Sequence, residues 1–341
     1  SSVTRTLETY CRISSLPSLS SESLIRGINR QPKRAIKSTP EIATINDRKW
    51  TPISRWSWPT THNIGHGTQL GIYKDDMRIL YFGNNWLGWQ ILRWLRDQQE
   101  EIVGLVLHPQ TRRSYGDRMI STAGIDQRAI LDGSRLKTPT GLEAVRTLRP
   151  DLGISVLFDH ILQPDMLDIF PLGCLNLHPA LLPHNRGQYP NVWSIVDGSP
   201  AGTTLHFMDN GIDTGDIVAQ RSIPVESYDT GETLYRRLEA ASLELFKQSW
   251  PIVRNGQATR TPQRGAASYH RTQDVDSIDL IDLDATTTAR KLIDRLRART
   301  FPPHPGAYFV ENGRRIYLRL YLAESQELGH NQPGPIKERE D

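Results

Sequence analysis

Two polar residues that could take part in catalysis, one as a hydrogen-bond donor and one as an acid or base, alternate with leucines in the short stretch LNLH. Residues two apart on a β-strand point to the same face, so Asn176 and His178 would present an amide and an imidazole to one small volume. Asp213 follows in the turn GIDTG, whose glycines allow the backbone to bend tightly. An amide donor, an imidazole and a carboxylate form a candidate catalytic set.

The stretches NLHPALLPHNRG, PNVW and GIDTGDIVAQ contain or flank this set. In combination they resemble the N10-formyltetrahydrofolate-dependent formyltransferases, over a region from about Met77 to about Leu322. Within that family, PNVWSIVDGSPAGTTLH followed by DTGETLYRRLE is most similar to the enzymes that formylate an amino sugar carried on a nucleotide. The resemblance implies that Asn176, His178 and Asp213 are catalytic and that N10-formyltetrahydrofolate is the co-substrate.

The same three residues suit formyl transfer on chemical grounds. Asn176 can donate its amide N–H to the developing oxyanion, an effect of roughly 3 to 4 kcal/mol for a preorganised donor. His178 can take the ammonium proton or donate to the oxyanion, because an imidazole ordinarily titrates near neutral pH. Asp213 would orient the ring and favour its charged form. The carrier supplies an activated formyl group, so the reaction requires no metal.

The loop LFDHIL resembles the folate-binding loop of the same family. The resemblance implies that this loop offers backbone groups and an apolar wall to the pterin. The residues concerned are Phe158, Asp159, His160, Ile161 and Leu162.

Contacts to the acceptor substrate are predicted in two loops. In the sugar enzymes that this sequence resembles, the loop after the first strand faces the acceptor sugar, which implicates Asn84 and Trp86. Trp86 could instead simply cover the sheet. Arg186 and Gly187 lie in the loop after LNLH, and Arg186 is a candidate contact to a phosphate or a brace of its own loop.

Three other interpretations of these motifs are weaker. The turn GNNWLG lacks the middle glycine of a dinucleotide fingerprint, and Asn85 stands in its place, which disfavours NAD. His178, His184 and Asp213 could be metal ligands, but their spacing matches no standard zinc pattern. Asp216 could compete with Asp213 as the catalytic carboxylate, although it is expected at the start of the next strand.

Composition sets the outer bounds. A chain of 341 residues with 37% hydrophobic content can form two globular domains, and a net charge of +3 indicates no particular partner. Cys11 and Cys174 are the two cysteines, so no disulfide framework is predicted. No apolar run approaches the roughly 18 residues of a membrane span, and the N-terminus lacks the apolar core of a secretory signal. We therefore expect a cytoplasmic protein without membrane contact.

Strands alternate with helices in the central part of the chain. The pattern predicts strands at 78–82, 102–107, 152–158, 174–178, 203–208 and 217–223. It predicts helices at 89–98, 142–148 and 164–169, and a long helix that starts with a capping box at Asp229 and Glu232 and ends at Pro251. A turn-rich charged segment is expected from 108 to 137. Such alternation indicates an α/β fold with a doubly wound, mainly parallel sheet, which places ligands at the carboxyl ends of its strands.

The predicted domain organisation has four parts. Residues 1–76 form an N-terminal extension that is partly disordered, residues 77–260 form the formyltransferase catalytic domain, residues 261–325 form a small β-rich C-terminal domain with a short basic helix, and residues 326–341 form a tail.

The favoured function is formyl transfer to a nucleotide-linked amino sugar, with a homodimer expected and no nucleic acid partner. The first alternative is methionyl-tRNA formyltransferase. Eight Lys or Arg residues between Arg290 and Arg319 could form a basic patch for RNA, although the chain after the long helix is short for the second domain of the tRNA enzyme. An alternative of another class is a non-catalytic folate or nucleotide-sugar binding protein, which the complete set of Asn176, His178 and Asp213 disfavours.

Overall fold

The computed structural model describes residues 77–323. The strands are β1 (Arg78–Gly83), β2 (Glu101–Leu107), β3 (Ile130–Asp132), β4 (Leu152–Val156), β5 (Cys174–His178), β6 (Arg186–Gly187), β7 (Ala201–Phe207), β8 (Ile217–Ile223), β9 (Tyr269–His270), β10 (Tyr308–Glu311) and β11 (Arg314–Tyr317). The helices are α1 (Asn85–Asp97), α2 (Gly116–Ala123), α3 (Pro139–Leu148), α4 (Pro164–Leu167), α5 (Pro190–Val196), α6 (Gly231–Arg254), α7 (Asp276–Asp279) and α8 (Ala289–Ala298). The extension expected at 1–76 and the tail expected at 326–341 lie outside the described residues.

Seven strands form one sheet in the order β3-β2-β1-β4-β5-β7-β8. The first five are parallel, and β7 and β8 are added antiparallel at the edge beyond β5. The chain runs outward from β1 to β3 and then returns to β4 on the other side of β1. The direction of winding therefore reverses between β1 and β4, and such a reversal opens a cleft at the carboxyl ends of the strands. The predicted doubly wound, mainly parallel sheet is confirmed.

The central strand β1 is apolar throughout rather than alternating, because helices cover both of its faces. Ile79 and Tyr81 belong to a core cluster that includes residues of α1, α2 and α6. Leu80 and Phe82 belong to a second cluster that includes residues of α3 and α4. Successive side chains point to opposite faces of a strand, so a strand covered by helices on both faces needs apolar residues at every position.

Two predictions in the first half of the chain were wrong. Helix α1 begins at Asn85 and not at Trp89, because its first turn buries Leu87 and brings Gly88 to the sheet, where the Tyr81 hydroxyl donates to the Gly88 carbonyl at 2.6 Å. The segment expected to be turn-rich from 108 to 137 contains α2 and β3. Helix α2 is only 8 residues long, too short for its periodicity to stand out in the sequence.

Helix α6 also departs from its prediction at both ends. Its N-cap is Thr230. The Thr230 hydroxyl accepts from the backbone N–H of Thr233, and the Thr233 hydroxyl accepts from the backbone N–H of Thr230, which together form a capping box. Asp229, by contrast, is buried and accepts from Arg237. The helix does not end at Pro251 but continues to Arg254. Trp250 is buried in the core on this last turn, and this packing outweighs the loss of one backbone hydrogen bond at a proline.

The C-terminal part contains the predicted basic helix, α8, and a hairpin of β10 and β11. Asn312 and Gly313 connect the two strands and both have positive φ, as in the two-residue turns that suit the twist of a hairpin. The small strand β9 pairs with β6, so this part of the chain returns to the loop after β5. Within residues 77–323, no helix combines the length and the apolar character needed to span a bilayer.

Candidate active site

Strand β5 brings Asn176 and His178 to the carboxyl edge of the sheet. Its backbone pairs with β4 on one side and with β7 on the other, where Asn176 lies opposite His206. The alternation predicted from LNLH holds, because both polar side chains reach the same carboxylate, that of Asp213. The intervening Leu177 points into the core.

Asp213 lies at the centre of this group. Asn176 donates from Nδ2 to one carboxylate oxygen at 3.2 Å, and the Gly187 N–H donates to the other at 2.9 Å. The Nδ1 atom of His178 is 3.7 Å and the Nε2 atom of His206 is 3.6 Å from the same carboxylate. Asp213 has φ of +53°, which the turn GIDTG imposes so that its side chain turns back towards β5.

The carboxylate of Asp213 is held in its charged form. Burial raises the pKa of this group, but the neighbouring His178 and His206 and the Gly187 N–H outweigh burial and keep the pKa of Asp213 well below its usual range. Asp213 is therefore a permanent negative charge beside His178 at any ordinary pH. Such a charge favours the protonated form of an imidazole that accepts a proton during a reaction.

His178 is buried and has an acceptor near each ring nitrogen. Its Nε2 lies 3.1 Å from the backbone carbonyl oxygen of Asn185, to which a protonated Nε2 donates. Its Nδ1 lies 3.7 Å from Asp213, which is longer than a hydrogen bond. With Nε2 held by the backbone, Nδ1 is the atom that can exchange a proton with a bound amine. A ring protonated at both nitrogens would then face two acceptors.

His206 was not identified from the sequence. Its Nδ1 lies 2.8 Å from the Phe207 carbonyl oxygen, to which it can donate. Its Nε2 lies 3.2 Å from Asn176 Nδ2. The Asp213 carboxylate can only accept, so it fixes the Asn176 amide with its nitrogen, and not its oxygen, towards Asp213. The sequence carried no distinct signal for His206, because Thr203 and Thr204 make the same strand polar at other positions too.

Gln263 is a second residue that the sequence did not indicate. Its side-chain nitrogen donates to the carbonyl oxygens of Asp213 and Gly215, both at 2.8 Å, and so holds the GIDTG turn. Its side-chain oxygen accepts from Nε and Nη2 of Arg186. Of the two roles considered for Arg186, bracing its loop is the one for which the structure provides contacts. No local pattern could reveal Gln263, because it is 50 residues from Asp213.

Gly187 supplies the backbone N–H that binds Asp213, at a position where only glycine fits. Its φ is +84°, and a Cβ atom added there would lie 2.3 Å from the His270 carbonyl oxygen. The close approach arises because β6, which ends at Gly187, pairs with β9. The glycine therefore allows the C-terminal part of the chain to lie against the loop that carries the site.

Replacing Gly187 with alanine is expected to lower the free energy of unfolding by more than about 1 kcal/mol and to reduce turnover. The added methyl group must push β9 away and shift the N–H from Asp213. Gly198→Ala is a matched control, because Gly198 also has positive φ, of +64°, but has no atom within 4 Å of the added methyl group. Chemical denaturation and steady-state kinetics measure both effects. Equal losses in the two variants would show that backbone conformation alone, and not the contact with His270, matters at Gly187.

The predicted folate loop follows β4 at the cleft. Phe158 and Leu162 are buried and pack in the core beneath the loop. Ile161 is 52% exposed and is the apolar side chain that a ligand can reach. Asp159 pairs with Arg112 and lies near His108, and His160 stacks on His108. Two of the five predicted residues are thus structural supports, while Asp159, His160 and Ile161 border the cleft.

The two predicted residues after β1 have structural contacts of their own. The side-chain oxygen of Asn84 accepts from the Ser114 N–H at 2.8 Å and ties two loops together. Trp86 is partly buried against the core on α1. Their predicted contact with an acceptor sugar stays a prediction. The alternative metal site is not formed, because in residues 77–323 His184 does not belong to any cluster of three possible ligands.

This fold and this site can be compared with known proteins. Residues 77–249 match the sequence pattern of the family described as Formyl transferase. The chain belongs to the formyltransferase family. The predicted reaction class, N-formyl transfer that depends on N10-formyltetrahydrofolate, is thereby confirmed. Residues 274–324 match a second pattern, described as the N-formyltransferase dimerization C-terminal domain.

Individual relatives differ in the acceptor that their names give. A methionyl-tRNA formyltransferase of Synechococcus sp. is 34% identical over 256 residues, which cover 71% of this chain and 75% of the relative. The crystal structure of a 4-N formyltransferase from Francisella tularensis is 26% identical with a TM-score of 0.63 and covers 73% of this chain and 98% of that one. A sugar N-formyltransferase from a Shewanella species, 23% identical with a TM-score of 0.64 over 73% of this chain and 98% of that one, shares the fold.

Proposed function

We propose that this formyltransferase acts on the amino group of a nucleotide-linked amino sugar, such as dTDP-4-amino-4,6-dideoxyglucose, with N10-formyltetrahydrofolate as donor. The observation that carries the chemistry is the convergence of Asn176 and His178 on the charged Asp213 at the carboxyl edge of the sheet. Residues 158–162, after β4, are the proposed contacts to the folate, and Asp159, His160 and Ile161 among them border the same cleft.

The proposed reaction needs no group beyond those that converge here. The amine nitrogen attacks the formyl carbon, the carbonyl oxygen becomes an oxyanion, and Asn176 donates to it once its amide turns from Asp213. His178 takes the proton released from the amine, and Asp213 stabilises the resulting imidazolium. The oxyanion then collapses, the bond between the formyl carbon and N10 breaks, and N10 leaves with the proton that His178 returns to it.

The choice of a sugar acceptor is supported by the basic segment from Arg290 to Arg319. Three of its arginines are engaged in holding the C-terminal part together. Arg295 donates to the carbonyl oxygens of Ile278 and Leu280. Buried Arg297 donates to Asp294, and Arg299 donates to Asp279. Because Arg297 and Arg299 are each paired with a carboxylate, the segment offers less free positive charge to RNA phosphates than its composition indicates.

Methionyl-tRNA is the second candidate acceptor, and the name of the Synechococcus relative supports it. The two acceptors differ in how binding depends on salt. A nucleotide sugar presents two phosphates, so its affinity should fall only mildly as salt rises, whereas each further phosphate contacted in RNA steepens the dependence.

The test is a product assay with the full chain, N10-formyltetrahydrofolate and a panel of dTDP- and UDP-linked amino sugars, with charged initiator tRNA offered in parallel. We expect one formyl group to be added to a 4-amino sugar nucleotide, with saturation in the micromolar to millimolar range that is ordinary for small substrates. Mass spectrometry identifies the product. Formylation of methionyl-tRNA with no reaction of any sugar would overturn the proposal. A folded protein that formylates neither acceptor but binds folate would indicate a non-catalytic binding protein.

We also propose a homodimer formed through the hairpin of β10 and β11. Val310 and Tyr317 share one face of this hairpin and are 50% and 46% exposed, which is costly for a monomer. The match of this region to a dimerization domain supports the proposal. Val310→Asp should yield a folded monomer in analytical ultracentrifugation, whereas Leu172→Asp, at an apolar residue that is 44% exposed on the catalytic domain, should leave the dimer intact. An unchanged dimer in Val310→Asp would place the interface elsewhere.

A further inference from the structure

Three polar side chains meet beside the cleft, and the proton and bond transfers proposed above do not use them, although two of the three belong to the proposed folate loop. His108 follows β2, and Asp159 and His160 follow β4, so the group lies where the winding of the sheet reverses. Each residue can offer one metal-binding atom, and these atoms all lie within 4.8 Å of one another. This is the one such group among residues 77–323.

The imidazole of His108 is buried without a hydrogen bond. The residue is 3% exposed, and neither of its ring nitrogens has a hydrogen-bond partner among the described residues. The Nε2 atom of His160 is also buried and unpartnered there. Burying a polar atom without a partner destabilises the fold, so natural proteins rarely leave several such atoms together unless an ion or water satisfies them.

The spacing of these atoms suits a small metal ion better than a direct hydrogen bond. His108 Nδ1 lies 3.2 Å from an oxygen of Asp159, yet the two are not aligned as donor and acceptor. Two ligands of a tetrahedral zinc ion, each bonded at about 2.0–2.2 Å, stand about 3.3 Å apart. His108 and Asp159 already have that separation, and the ligand atom of His160 lies within 4.8 Å of both.

The charges around the group permit a cation. With neutral imidazoles, the nearby carboxylates of Asp159 and Asp132 carry two negative charges, while Arg112 pairs with Asp159 and Arg135 lies near Asp132. Arg112 binds the second oxygen of Asp159 and leaves the first directed at His108. In metal sites, a ligand carboxylate commonly accepts a hydrogen bond from a group that does not itself touch the metal and that orients the carboxylate. Arg112 would be that group here, although its positive charge also weakens the attraction for a metal ion.

We propose that His108, Asp159 and His160 bind a divalent transition metal ion such as Zn²⁺. The ion joins the end of β2 to the loop after β4 and satisfies the buried nitrogens. The fourth position of the tetrahedron is open to water or to a ligand in the cleft. The proposal is independent of the acceptor substrate, because it concerns binding of the metal alone.

The test uses Co²⁺ as the probe, since tetrahedral Co²⁺ absorbs strongly in the visible range. The full chain, treated with a chelator and then titrated with Co²⁺, should show this absorption at one ion per chain, and Zn²⁺ should displace the Co²⁺. His160→Asn and Asp159→Asn, both at positions that reach the surface, should weaken binding by about tenfold or more. Arg112→Gln should strengthen it, because the competing positive charge is removed.

His304→Asn, at an exposed histidine in the C-terminal part, is the matched control and should bind Co²⁺ as the unchanged chain does. Circular dichroism verifies that each variant is folded. The proposal is overturned if the unchanged chain shows no tetrahedral Co²⁺ spectrum up to millimolar metal. It is equally overturned if His160→Asn and Asp159→Asn bind normally, or if only His178→Asn abolishes binding, which would place the ion at the catalytic group.

Discussion

Replacing His178 with asparagine is expected to lower turnover at least about 100-fold while the chain stays folded. The substitution removes the atom proposed to accept the amine proton, Nδ1, and leaves Asp213 without the imidazolium that it would stabilise. The effect should fall on kcat more than on KM, because proton transfer belongs to the transition state and not to substrate binding. Single-turnover kinetics with a competent amino-sugar nucleotide measure the chemical step directly.

His184→Asn is the matched control for this prediction. His184 is a partly exposed histidine in the loop that follows the same strand, and it takes no part in the group around Asp213. Its substitution should leave turnover within a few-fold of the original. Near-normal turnover in a folded His178→Asn variant would remove His178 from the mechanism.

Replacing Asp213 with asparagine is expected to reduce turnover by a similar factor, at least about 100-fold. The carboxylate accepts from Asn176 and from the Gly187 N–H, one at each oxygen, and an amide offers one oxygen only. One of the two donors would then face the NH₂ group, and the orientation of Asn176 would be lost together with the charge that supports His178. Turnover and thermal unfolding of the folded variant measure the two consequences.

Asp216→Asn separates this role from a general effect of charge. Asp216 immediately precedes β8 and its backbone carbonyl accepts from the Phe207 N–H, so its backbone belongs to the sheet edge. Replacing Asp216 with asparagine should therefore reduce turnover much less than replacing Asp213. A larger loss in Asp216→Asn than in Asp213→Asn would mean that the wrong carboxylate has been assigned.

The depressed pKa of Asp213 also predicts how the free energy of unfolding of the original chain and that of Asp213→Asn differ as pH changes. The ionised carboxylate stabilises the fold above its unfolded pKa of about 3.9, and this contribution is lost as pH falls through the lower folded pKa. The difference in free energy of unfolding between the original chain and Asp213→Asn should shrink below about pH 4, where Asp213 becomes protonated in the unfolded chain and then in the folded one. A difference that stayed constant as pH fell below about 4 would contradict the depressed pKa of Asp213.

Periodicity was sufficient for six of the seven strands of the sheet, but it missed the three-residue strand β3 and failed at helix boundaries. Strand β5 was predicted to the residue, because LNLH is short, apolar and bounded by a turn on one side and proline on the other. The start of α1 and the end of α6 were not, because burial of Leu87 and Trp250 in the core decides them. Packing partners from distant parts of the chain contribute to both, and local propensity carries no information about them.

The residues of the site also divide into those that the local sequence indicates and those that only contacts in space reveal. Asn176, His178 and Asp213 could be identified because their types are suited to chemistry and their spacing follows from strand and turn. Gln263 and His206 support them from other elements. Neither has a local signature, since a glutamine in a loop or a histidine on a strand is ordinary until its neighbours in space are known.

By itself, the sequence determined the fold class, because strand and helix periodicity is a property of neighbouring residues. Its motifs carried the resemblance that indicated the family, and their residue types singled out the three residues that meet at Asp213. The tertiary structure alone decided that Gly187 must be glycine, since β9 approaches it from 83 residues away. It also decided that Arg186 braces a loop and that Arg295 holds carbonyls of the C-terminal part. A charged side chain acts on whatever lies within a few ångströms, and that neighbourhood is set by the fold and not by the order of the chain.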